Sequence, residues 1–213
     1  MILYENMVQG SEEWKSIRAG MPTASCFDKL ITSEGAPSKS MQNYAITLAC
    51  EKFAGKPLDA FEGNAYTERG KLLEDDARRM YSFLNDTDTQ QVGFITDDAG
   101  TYGCSPDSLI GEDGMLEIKC LKSENHAKAI LYFKKNKKLP PDYVQQTQGQ
   151  MFVTGRAWCD AFFFHPELPR LCIRQTPNQE LFAALQLQID AVTKERDAIL
   201  LALKDIPKKQ EGE

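Results

Sequence analysis

Thr101-Tyr102-Gly103-Cys104-Ser105-Pro106-Asp107, then Gly111-Glu112-Asp113-Gly114 and Met115-Leu116-Glu117-Ile118-Lys119-Cys120, is the stretch that decides how this chain folds. Thr101–Ser105 and Met115–Cys120 read as strands, and the glycine-flanked acidic pair between them reads as a turn. Side chains alternate faces along a strand, so Glu117 and Lys119 project to one side while Ile118 points to the core. The turn folds Asp107 back beside Glu117. Two carboxylates and one ammonium then meet at one spot.

That combination suits phosphodiester hydrolysis. A hard divalent cation takes oxygen ligands, which Asp107 and Glu117 supply, and Ile118 can add its backbone carbonyl. A bound cation polarises a phosphate and lowers the pKa of a bound water. Lys119 can orient the attacking water and offset developing negative charge. Burial would lower the Lys119 pKa and the neighbouring carboxylates would raise it, and the sequence leaves both open. The same residues also fit an exposed hairpin with alternating charges.

Outward from the hairpin, the first half reads as helical. Ser11 caps a short helix to Arg18, with Glu12 and Glu13 in its first turn. Thr23 is positioned to cap a second helix through Ile31, a third spans Lys39–Phe53, and a longer one runs from about Asn64 to Phe83. In that long helix Leu72, Leu73, Ala77, Met80 and Tyr81 are expected to face inward. Gln91–Thr96 is a further strand. After the hairpin come a helix from Ser123 to about Phe133 and a glutamine-rich helix, Tyr143–Val153, with Asp142 as its cap. The glutamines either bond to water or phosphate or form a solvated face. Strands at Ala157–Phe164 and Arg170–Gln175 and a helix from about Asn178 to Leu203 complete the order. The expected fold is one α/β domain over 1–213 with a central mixed β-sheet flanked by helices. A helical part covers about 1–88, the sheet and its helices about 89–206, and a polar tail 207–213.

Composition narrows the setting. No apolar run approaches the roughly 20 residues that cross a bilayer, and Met1–Asn6 has no signal-peptide pattern, so a cytoplasmic protein without a membrane partner is expected. None of the 6 cysteines forms a Cys-x-x-Cys pair, so buried free thiols are expected. The net charge of −6 opposes nucleic-acid binding unless positive charge is concentrated. Lys128, Lys134, Lys135, Lys137 and Lys138 do lie together with no acid among them, either as a basic face or as a solvated helix end.

Ser105-Pro106-Asp107 with Leu116-Glu117-Ile118-Lys119-Cys120 resembles the lambda-type phage exonuclease and YqaJ-like viral recombinase branch of the PD-(D/E)xK nucleases. Three further blocks occur in the family's order: Trp14–Gly20 with Thr23-Ala24-Ser25, Gly70-Lys71 with Glu74–Arg78, and Tyr143–Gln148 with Met151 and Val153-Thr154. The resemblance implies a restriction-endonuclease-like core. It makes Asp107, Glu117 and the Ile118 carbonyl ligands of Mg²⁺ or Mn²⁺, and Lys119 the partner of the nucleophilic water. Glu74 becomes a supporting carboxylate and Gln146 a polar group near the reacting centre. Arg18, Ser25 and Ser105 become a pocket for a DNA 5′-phosphate. Arg18 otherwise reads as a surface helix charge, and Ser25 as ordinary helix N-terminal chemistry. The chain departs where relatives place an arginine after the Glu-x-Lys strand: it has Ser123-Glu124-Asn125-His126, with Lys122, His126 and Lys128 as the nearby basic groups. Tyr66 is the candidate for a wedge at the DNA end.

The implied activity is 5′-to-3′ digestion of double-stranded DNA, leaving a 3′ single strand for recombination. A homotrimer ring around the DNA and a single-strand annealing protein are the implied partners. A structure- or sequence-specific endonuclease, or a non-catalytic DNA-binding assembly protein on the same core, are the alternatives.

Overall fold

Local signals account for most of the helices. In the computed structural model, which describes residues 1–58 and 65–206 and the side chains of 1–58 and 72–206, α1 spans Glu12–Arg18 and Ser11 caps it by accepting from the Trp14 N–H. Thr23 stands at the N-cap position with the extended backbone of a cap, but its side chain makes no capping bond, and Ala24–Lys29 form a 3-10 helix rather than an α-helix. α2 spans Met41–Ala54 and stops at Gly55, whose φ of 68° is left-handed. α3 spans Ala65–Asn85. Asn64, the side chain of Tyr66 and the tail 207–213 lie outside the described residues.

The inward face of α3 differs from expectation at one position. Ala77 and Tyr81 are buried, Leu73 and Met80 are half-buried, but Leu72 is 79% exposed. Adjacent helix residues lie about 100° apart, and the face through Leu73, Ala77 and Tyr81 excludes Leu72.

The strands form two sheets rather than one. β1 (Ile2–Tyr4), β2 (Phe94–Thr96) and β3 (Gly103–Cys104) make an antiparallel sheet in that order. β4 (Ser108–Ile110), β5 (Gly114–Lys119), β6 (Trp158–Phe163) and β7 (Leu171–Gln175) make the mixed sheet, with β5 and β6 parallel and the other pairs antiparallel. The expected hairpin therefore has a different first arm. Thr101–Ser105 contributes β3 to the first sheet, and the partner of β5 is β4. Pro106, which carries no N–H for a ladder, stands between them. Gln90 bridges the two regions through paired backbone bonds with Leu109 (2.9 and 2.8 Å).

Parallel β5 and β6 require a crossover. It consists of α4 (Ser123–Asn136), a 3-10 turn at Pro141–Tyr143 and α5 (Val144–Thr154). Asp142 lies inside the 3-10 turn, and Tyr143 takes the N-cap position without a side-chain bond. α5 is almost wholly buried, which rules out the solvated-face reading of its glutamines. Gln148 donates to the Thr176 carbonyl (3.0 Å) and accepts from the Asn178 N–H (2.9 Å). α6 (Gln179–Asp205) is capped by Asn178 and lies against α2.

Alternation along β5 separates two cores. Met115 faces a core with Phe27, Leu30, Ile31, Leu48, Met151, Leu185 and Ile189. Leu116 and Ile118 face α3 with Ala77, Tyr81, Phe162 and Phe164. Glu117 and Lys119 share the Met115 side, toward α5. All six cysteines are free, but burial is uneven: Cys104 and Cys159 are buried, Cys26, Cys50 and Cys120 half-buried, and Cys172 exposed. Cys172 sits on the edge strand β7, where alternation turns it outward. Among the described residues, no helix is long and apolar enough to cross a membrane.

Candidate active site

The candidate site lies at the C-terminal end of β5. Ser108 pairs with Leu116, and one further step along that antiparallel register puts Asp107 opposite Glu117. Asp107 Oδ2 accepts from the Ile118 N–H at 2.5 Å. The N–H and carbonyl of a strand residue point to the same side, so the Ile118 carbonyl also points toward Asp107, away from β6. Glu117 is buried and fully bonded. Its Oε1 accepts from Lys119 Nζ (2.7 Å) and Gln146 Nε2 (2.6 Å), and its Oε2 accepts from Gln150 Nε2 (2.6 Å). Lys119 Nζ also donates to Gln146 Oε1 (2.8 Å) and lies 5.6 Å from the centre of the Tyr143 ring.

Glu74 approaches from α3. Its Oε1 accepts from Arg78 Nη2 (2.6 Å), while Arg78 also donates to Asp75 (2.5 Å) and to Ser108 Oγ (3.0 Å) at the start of β4. Arg78, itself buried, thereby ties the acidic helix to the strand beside Asp107.

The electrostatics follow from this crowding. Burial, then the charges of Glu117 and Glu74, push the Asp107 carboxyl well above the usual carboxylate range, against Lys119 and the Ile118 N–H. Burial also raises Glu74, with Arg78 opposing. For Lys119 burial alone would lower the pKa, but Glu117 and Asp107 outweigh it and the result lies above the ordinary value. The ammonium therefore stays charged, the point the sequence leaves open.

A divalent cation fits this donor set. Two carboxylates and a backbone carbonyl converge, all hard oxygen donors, and the like-charge crowding on Asp107 is what a cation would relieve. Among the described residues, no group of three or more His, Cys, Asp and Glu forms a metal cage, so the fit rests on two acids and one carbonyl.

A second cluster brings together Arg18, Ser25 and Ser105. Arg18 Nη2 donates to Ser25 Oγ (3.1 Å) and Thr23 Oγ1 (3.3 Å). The Arg18 guanidinium lies 3.7 Å from the centre of the Trp14 ring, and Trp14 Nε1 donates to Ser105 Oγ (2.9 Å). Burial lowers the Arg18 pKa, yet a guanidinium remains a cation at any ordinary pH. Arg18 is thus a half-buried, partnered group rather than a free surface charge. Ser105 stands two residues before Asp107, which links this cluster to the carboxylates through the chain itself.

Other basic residues fall differently. His126 is fully buried and donates through Nε2 to the Pro169 carbonyl (2.8 Å), so it is not a surface phosphate contact. Lys128 pairs with Glu124 at 2.6 Å, one turn earlier in α4. Lys134, Lys135, Lys137 and Lys138 are exposed at the end of α4 and just beyond it. The sequence gives no separate role to Gln150, Trp14 or Tyr143. Gln150 has one signal: it follows Gln146 by four residues and so shares its helix face.

This mixed sheet with its flanking helices is the fold of the alkaline exonucleases. The crystal structure of the alkaline exonuclease LHK-Exo from Laribacter hongkongensis matches with a TM-score of 0.80 and 34% sequence identity, over 91% of this chain and 96% of that one. Its complex with dAMP matches at 33% identity with the same TM-score and coverage. A phage-related exonuclease from Haemophilus somnus 129PT shares the fold at a TM-score of 0.68 and 16% identity, over 86% of this chain and 96% of that one. Residues 13–157 match the model of the YqaJ-like viral recombinase domain, and the chain belongs to that family. A search of curated proteins finds no match.

Proposed function

We propose that this protein is a Mg²⁺- or Mn²⁺-dependent exonuclease that digests linear double-stranded DNA from 5′ to 3′ and leaves a 3′ single strand for recombination. The observation that carries this reading is the meeting of Asp107, Glu117, Lys119 and Gln146 at one strand end, with the Arg18–Ser25–Ser105 cluster tethered two residues away. Membership of the recombinase family and the likeness to an alkaline exonuclease support it.

Asp107, Glu117 and the Ile118 carbonyl would hold the cation, which when bound polarises the scissile phosphate and lowers the pKa of a water. Lys119, kept charged by its carboxylates, orients that water and stabilises charge that develops on the phosphate. Gln146 bonds both Lys119 and Glu117 and so fixes the ammonium relative to the carboxylate. Glu74 adds negative charge beside Asp107 from α3. The Arg18 fork and the hydroxyls of Ser25 and Ser105 hold the terminal 5′-phosphate. Each cut creates a new 5′-phosphate, which the same cluster draws in, so forward motion has a chemical cause. A homotrimer ring would gather the exposed lysines at the end of α4 and just beyond it around the duplex, and a single-strand annealing protein would take the product strand.

The test uses a linear duplex labelled at one 5′ end and a covalently closed circle, each with Mg²⁺ and with chelator. Release of label from the linear duplex only with Mg²⁺, and an intact circle, is expected. Cutting of the circle would establish the endonuclease instead, and inertness on both would leave a DNA-binding protein.

A further inference from the structure

Gln150 lies behind the site, and the hydrolytic step gives it no task. It is buried in α5 one helical turn after Gln146, so both carboxamides leave the same helix face. The two oxygens of Glu117 have different partners. Oε1 is shared by Lys119 and Gln146, both of which are only partly buried and have each other as an alternative partner. Among the described residues Oε2 is held by Gln150 alone, at 2.6 Å. The other end of that carboxamide accepts from the thiol of Cys159 at 3.7 Å, and Cys159 is fully buried on β6. The Glu117 carboxylate only accepts and the thiol is a weak donor, so the amide nitrogen faces Glu117 and the amide oxygen faces Cys159.

We propose that Gln150 is a positioning residue for Glu117: by holding Oε2 from behind, it leaves Oε1 as the single oxygen turned to a divalent cation. The inference rests on the metal site proposed at Asp107 and Glu117. A carboxylate held at one oxygen alone can still rock, and one held at both is a ligand already formed. Loss of the partner that orients a metal-binding carboxylate typically weakens metal affinity by about 10- to 100-fold.

The experiment is calorimetric titration of the metal-free protein with Mn²⁺ alone, no DNA present, with thermal melts alongside. The proteins are wild type, Gln150→Met, Gln150→Asn and Asp107→Asn. Gln150→Met keeps the volume without a donor and is expected to weaken Mn²⁺ binding by about 10- to 100-fold while melting cooperatively. Gln150→Asn, whose shorter amide falls short of Glu117, is expected to do the same and serves if the first variant does not fold. A purely structural Gln150 would shift the melt and leave Mn²⁺ affinity alone, and that result overturns the inference, as does failure of both variants to fold. Asp107→Asn separates this from the underlying reading. If wild type binds no Mn²⁺, or Asp107→Asn binds it equally well, the metal site itself fails. If Asp107→Asn loses binding while both Gln150 variants keep it, only the role of Gln150 fails.

Discussion

Asp107 is buried against Glu117 and Glu74 and receives a backbone N–H bond from Ile118. A carboxyl raised in the folded state stabilises the fold below its unfolded pKa of about 3.9 and loses that contribution as pH rises through the folded value. At neutral pH and without metal, the Asp107 charge therefore opposes folding. Asp107→Asn keeps an oxygen for the Ile118 N–H and removes the charge, so its melting temperature without metal should exceed that of wild type. For a domain of this size about 1 kcal/mol corresponds to roughly 2–4 °C. Added Mg²⁺ should raise the wild-type melt and leave the variant unmoved, and a variant less stable than wild type without metal would contradict the account. The same substitution should remove most hydrolysis, as should Glu117→Gln and Lys119→Ala. Groups that act as one site lose function non-additively, so each single change should approach the triple change in a linear-duplex assay. The meeting of Asp107, Glu117 and Lys119 was legible in the sequence because strand alternation and a glycine turn are local rules. Gln150 was not, because its partners Glu117 and Cys159 come from β5 and β6 and only tertiary packing aligns them. The charge state of Lys119 was not legible either, since it depends on how burial and carboxylates balance in three dimensions.

α5 is the element that turns a strand end into a site, since it carries both Gln146 and Gln150. It approaches the 3-10 helix closely at Gly149, where an added Cβ would lie 2.4 Å from Phe27 Cδ2 and 3.2 Å from Ala24 Cβ. Alanine is the better helix former by about 1 kcal/mol, but overpacking of this kind costs about 1–3 kcal/mol. The collision should win. Gly149→Ala is expected to lower the melting temperature by a few degrees and to reduce activity, because a shifted α5 moves both glutamines. Thermal melts and initial rates check this, and a variant equal to wild type in both would contradict it. Helices with strong caps, α1 after Ser11 and α6 after Asn178, were readable from the chain. β1 and β4 were not: each has three residues, too few for alternation to show. Thr23 misled because its hydroxyl accepts from Arg18 instead of closing a helix turn.

For the whole molecule the problem is charge. A protein with formal charge −6 must concentrate its positive surface to hold DNA. Lys134, Lys135, Lys137 and Lys138 are exposed together, and a closed ring of three copies would turn such surfaces toward a common axis. Light scattering should give a trimeric mass, and a monomer at micromolar concentration would count against the ring. The α/β architecture was legible from the order of elements, whereas its division into two sheets was not, because one proline, Pro106, decides where the chain leaves β3 for β4. The central claim is that the carboxylate site and the Arg18 cluster act together on a 5′-phosphorylated DNA end. A charge-assisted contact contributes roughly 1.5–3 kcal/mol, or about 10- to 100-fold in rate. Initial rates on linear duplexes with a 5′-phosphate or a 5′-hydroxyl, for wild type and Arg18→Ala in Mg²⁺, measure it. Wild type should prefer the phosphorylated end by about that factor and Arg18→Ala should lose most of the preference; equal rates on both ends in wild type, or digestion from the 3′ end, would contradict it.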